Sequence, residues 1–107
     1  MTINDFVEMY VNNPDGKAVL RQNFFTDGVF TNYSTDICQI VGKVARLNIR
    51  KYSRTTSKLQ SLLRYALERN GYTIEEYNGE PCTYWNYGYC SSDNKWTINE
   101  LKARGIF

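Results

Sequence analysis

Apolar residues recur along this chain at two periods, and the periods mark out its elements. Leu59, Leu62, Leu63, Ala66 and Leu67 fall at i, i+3, i+4, i+7 and i+8, one stripe of an α-helix. Ser57 with Gln60 fits a capping box, Thr55 and Thr56 are rival caps, and Asn70-Gly71 fits a C-cap followed by a left-handed glycine. The spacing predicts a helix over 57–70. Ile3, Phe6, Val7, Tyr10 and Val11 repeat the pattern near the start. There Thr2 can cap, Asp5 suits the positive end of the helix dipole, and Asn12-Asn13-Pro14-Asp15-Gly16 brings turn chemistry, so a first helix is expected over 3–12.

Between these two helices the period shortens to two. Val29, Thr31 and Tyr33 alternate with Phe30 and Asn32, Ser34-Thr35-Asp36 reads as a turn, and Ile37 to Val41 is rich in strand formers. Gly42-Lys43 then suits a two-residue hairpin with glycine first. In the strand that follows, Ala45, Leu47 and Ile49 share one face, and Val44, Arg46, Asn48 and Arg50 the other. Lys17 to Phe25 admits a short helix or a strand and is taken as a helix ahead of a strand. After Gly71, Tyr72 to Tyr77 reads as a strand and 78–81 as a turn. Cys82 to Cys90 is either a strand or a rigid aromatic loop. Thr97 to Glu100 forms a capping box for a last short helix through Arg104. These elements predict an α+β fold. It has a small antiparallel sheet, a three-strand meander with room for a fourth or fifth strand. One amphipathic helix packs on it, with short terminal helices, all in a single domain over 1–107.

Charge adds a direction to this picture. Eight of the thirteen basic residues lie between Lys43 and Arg69, with Glu68 the one acid among them; five basic and ten acidic residues lie elsewhere. A near-neutral chain thus hides a basic centre between acidic flanks. Arg46, Arg50, Lys51, Arg54, Lys58, Arg64 and Arg69, with Tyr65 beside them, form a candidate face for nucleic acid or for an acidic partner. The hydroxyls of Ser53, Thr55, Thr56 and Ser57 sit where helix amides open and could help hold an anion; the plainer reading is repeated capping of a tight strand-to-helix turn. Tyr84, Trp85 and Tyr87 could stack bases, or simply cover a small core.

Asn48, Arg50, Lys51, Tyr52, Ser53, Thr55, Thr56, Ser57, Lys58 and Gln60 spell N-x-R-K-Y-S-x-T-T-S-K-x-Q. This motif resembles one found in small uncharacterised proteins of phages and mobile elements, and Phe25 to Cys38 is similar to the segment that precedes it there. The resemblance covers residues 25–64 and brings no catalytic residues. It implies an accessory protein of a phage or mobile element, a setting that includes anti-defence proteins of the anti-CRISPR kind.

Several classes are disfavoured. The chain has no histidine, which removes the commonest general base and a main metal ligand. Glu75 and Glu76 are adjacent and would face opposite ways in a strand, a poor carboxylate pair. Cys38, Cys82 and Cys90 are odd in number and contain no C-x-x-C, so no disulfide framework, metal site or cofactor is expected. No window approaches a membrane span and the first residues lack a signal-peptide pattern, so the chain is read as cytoplasmic. The expectation is a non-enzymatic binding protein whose partner is nucleic acid or a host nucleoprotein or defence complex. The alternatives are an inhibitor touching a nuclease through protein contacts, with Glu75, Glu76 and Glu80 imitating phosphates, and a small enzyme of unknown type.

Overall fold

A computed structural model describes residues 1–33 and 35–79. Ser34, Glu80, the 82–90 segment with Tyr84, Trp85 and Tyr87, and the last helix expected over 97–104 lie outside the described residues. The fold is α+β. In chain order it runs α1 (Ile3–Asn12), β1 (Lys17–Leu20), β2 (Asn23–Thr26), β3 (Val29–Asn32), β4 (Thr35–Val41), β5 (Val44–Asn48), α2 (Arg54–Arg69) and β6 (Thr73–Tyr77). The six strands form one sheet in that same order. Pairing is antiparallel from β1 to β5, and β6 joins β5 in parallel. A parallel pair requires a crossover, and α2 supplies it.

The sheet exceeds the expected three to five strands, and the 17–25 segment corrects the sequence reading: it is two strands, not a helix before a strand. The reason lies in the turns. Between β1 and β2, Arg21 takes a left-handed backbone (φ 56). Asp27 (φ 52), Tyr33 (φ 54) and Gly42 (φ 61) do the same at the starts of the next three connections. A left-handed first residue matches a two-residue loop to the twist of its strands. Asp27-Gly28 and Gly42-Lys43 advertise this geometry, whereas Arg21-Gln22 does not, because an arginine there costs about 1 kcal/mol of backbone strain. Pairing of β2 with β3 holds the hairpin in spite of its loop residues. Thr35 and Asp36, expected in a turn, belong to β4.

One face of the sheet carries the core. Phe25, Phe30, Cys38 and Leu47 sit opposite one another in a row from β2 to β5, and all are buried. The register slips between Phe30 and Thr31, with Ile37 the extra, bulged residue of β4, and Ile37 and Cys38 are both enclosed. On this floor lie Phe6, Val7, Tyr10 and Val11 of α1 and Leu59, Leu63, Ala66 and Leu67 of α2. Each such leucine contributes about 1.5–3 kcal/mol by leaving water. Phe6 and Tyr10 meet Phe25 and Phe30 with ring centroids 5.2–5.7 Å apart. The Tyr10 hydroxyl donates to the Gly28 carbonyl at 2.7 Å. Burial pushes the Cys38 thiol up to about 12, with a hydrogen bond to Tyr10 pulling slightly back. It is a core residue.

Candidate functional site

The strand-to-helix turn is built largely by the side chains of the motif. Asn48 is fully enclosed, although strand alternation had placed it on the wet face. Its amide nitrogen donates to the Asp36 carbonyl (3.2 Å) and to the Tyr52 hydroxyl (2.9 Å). Its oxygen accepts the backbone N–H of Arg50 (3.0 Å) and of Gly79 (2.9 Å). One side chain thus ties β4, the turn and Gly79, two residues beyond β6. Gln60, expected to cap the helix, instead reaches back from the buried face of α2. It donates to the carbonyls of Asn48 (2.7 Å) and Arg50 (2.9 Å).

The helix begins three residues before its expected start. Ser53, not Ser57, is the cap, accepting the Thr56 backbone N–H at 3.2 Å. The Ser53 hydroxyl donates to that of Thr56 (3.0 Å), and Thr56, buried, donates to the Asn32 side-chain oxygen (3.2 Å). Asn32 then donates to the Asn23 side-chain oxygen at 2.6 Å. So two of the four hydroxyls considered as an anion site, Ser53 and Thr56, hold structural bonds. Thr55 is exposed and Ser57 half-buried.

The basic candidates divide into three groups. Arg46 lies on the sheet face opposite α2, stacked on Tyr77 at 4.0 Å from its ring centre. Burial raises the Tyr77 hydroxyl above the ordinary tyrosine value, with Arg46 pulling the other way. The second group is already engaged. Arg64 pairs with Glu76, Arg69 pairs with Glu8 and stacks on the exposed Tyr65, and Arg50 donates to the Gly79 carbonyl at 3.3 Å. The third group is Lys51, Arg54 and Lys58. They are exposed and make no ion pair among the described residues. The strand arginine and the helix cations therefore do not share one face. Of the acids considered as phosphate mimics, Glu76 is held by Arg64, and Glu75 is half-buried on the side of Arg46.

The fold brings one further cation to the third group. A pocket of about 210 Å³ opens beside the start of α2. Its walls are Ile3, Leu20, Leu59 and Leu62, and its polar lining is Arg21, Gln22, Asn23, Asn32, Thr55 and Lys58. No acid lines it. Arg21 was not legible as a site residue, because it lies outside the basic centre and is delivered by a hairpin that its own turn residues conceal. The opposite face of the sheet carries a depression of about 420 Å³ whose charged lining is acidic, Asp27 and Asp36. Of these two recesses, the one at the α2 start therefore suits an anion better. Among the described residues, no group of three or more His, Cys, Asp or Glu could hold a metal ion, and no helix is long and apolar enough to cross a membrane. No protein-family model, curated protein or solved structure matches the chain.

Proposed function

We propose that this protein is a small accessory binding protein, of the phage or mobile-element type, that engages nucleic acid or a nucleoprotein through the start of α2. The observation that carries the reading is that Arg21 meets Lys58 at one pocket beside the α2 start, where Lys51 and Arg54 are also exposed, four cations with no ion pair among the described residues. The motif supports it by subtraction. Asn48, Tyr52, Ser53, Thr56 and Gln60 are used in building the turn, which leaves Lys51, Arg54 and Lys58 presented to solvent. Lysine and arginine there supply charge and donors to phosphate oxygens. The contact face is narrower than the full basic centre, because Arg46, Arg64 and Arg69 are committed elsewhere.

Binding of the purified protein to labelled single- and double-stranded DNA and RNA tests this. If four phosphates are neutralised on a single strand, affinity falls about 50-fold between about 50 and 200 mM salt. Arg21→Gly removes one cation at a left-handed position that glycine fits, and should weaken binding uniformly and reduce the single-strand salt slope by about 0.7. Absence of binding at low salt would sink direct nucleic-acid recognition and leave the protein-contact inhibitor as the reading to pursue.

A further inference from the structure

We infer that the pocket beside α2 receives a single unstacked nucleobase, which makes this protein a reader of single-stranded rather than duplex nucleic acid. The inference rests on the nucleic-acid reading above and adds to it the form of the strand. Three features of the pocket converge. Its walls at Ile3, Leu20, Leu59 and Leu62 are aliphatic, a surface onto which a planar ring can leave water. Its rim carries Arg21 and Lys58, so a phosphate attached to the inserted nucleotide meets positive charge and, among the described residues, no acid.

The third feature is an amide donor at the pocket wall that the described residues leave unused. The hydrogen-bond chain from α2 has one direction: Ser53 donates to Thr56, Thr56 to Asn32, and Asn32 to the oxygen of Asn23. Each step fixes the orientation of the next amide, so the chain ends on the Asn23 side-chain nitrogen. Asn23 is only 6 % exposed and lines the pocket. Its amide nitrogen has no partner among the described residues. A base offers ring nitrogens and carbonyl oxygens that would accept from it. A phosphate alone would not use the aliphatic walls. A base inside a duplex could not reach the amide without leaving its stack.

The test separates the base from the backbone. A labelled oligothymidylate of about fifteen nucleotides is compared with an abasic oligomer of the same length and charge, and with a duplex. The abasic strand is expected to bind at least about ten-fold more weakly than the thymidylate, the duplex likewise, with similar salt slopes for the two strands. Leu62→Trp, from a half-buried wall position, should fill the pocket and bring the thymidylate down to the abasic level. Its fold is checked by thermal unfolding, and the abasic comparison stands whether or not that variant folds. Equal binding of abasic and normal strands, or a preference for duplex, overturns the base pocket while the nucleic-acid reading survives. No binding of any strand at low salt overturns both.

Discussion

The two helices of this protein start in opposite ways. At α1, Thr2 accepts the Asp5 N–H at 3.2 Å and the Asp5 carboxylate accepts the Thr2 N–H at 3.3 Å. The acid also sits at the positive end of the helix dipole, so this start is completed within four residues and its charge is balanced locally. At α2, Ser53 caps in the same manner, but the first turn holds no acid. Arg54 and Lys58 add positive charge where the dipole is already positive. What holds this start is tertiary: Thr56 bonds to Asn32 on β3, and Gln60 to the carbonyls of Asn48 and Arg50. The difference teaches that one start serves the fold and the other keeps an electrostatic deficit that an anion would relieve.

The largest effect is expected where the second start is anchored. Asn48→Ala would strip partners from the N–H groups of Arg50 and Gly79, and the Gly79 contact is buried. Each unmatched buried group costs about 1–3 kcal/mol, so a loss of about 3 kcal/mol is expected in urea unfolding. A loss below 1 kcal/mol would mean the turn stands without its hub, and the contrast with α1 would collapse. A smaller pair of variants compares the caps directly. Thr2→Ala should cost about 1 kcal/mol, within the usual range for a hydroxyl cap. Ser53→Ala should cost about 2 kcal/mol, because it also removes the first donor of the chain through Thr56 to Asn32. Equal costs would show that the relay adds nothing to the cap.

How much of this was legible in the sequence follows the same divide. The α1 start was readable from Thr2 and Asp5, because its bonds span three residues. The C-terminus of α2 at Asn70-Gly71 was readable too, with Gly71 at φ 79. The α2 start misled: Ser57 and Gln60 matched a local box, while the real partner of Gln60 is a strand end twelve residues away. Asn48 obeys strand alternation only if the turn beyond it is ignored. The β1–β2 hairpin was missed because its loop is held by the sheet and not by its own residues. The basic centre was visible as a count of charges, but a count cannot show which cations find acids. Glu8 and Glu76 come from the flanks to meet Arg69 and Arg64, and Arg21 comes from β1–β2 to join Lys58.

The finest test of the comparison is a charge reversal that should stabilise. Arg54 opens α2 directly after its cap and is exposed. Arg54→Glu would place an acid where Asp5 helps α1, exchanging an unfavourable charge–dipole interaction for a favourable one worth about 0.3–1 kcal/mol. It would also set a glutamate four residues before Lys58, the better order for such a pair, adding about 0.3–0.5 kcal/mol. A gain of roughly 1 kcal/mol is therefore expected at low salt, shrinking as salt screens both terms. Nucleic-acid binding should move the other way, weakening about ten-fold if one phosphate contact becomes a repulsion. The two readouts need opposite signs for the argument to hold. If Arg54→Glu destabilises the fold, Arg54 has a structural role and the α2 start carries no deficit. If stability rises and binding is unchanged, the deficit is real but Arg54 lies outside the contact, and Arg21, Lys51 and Lys58 must carry the interface without it.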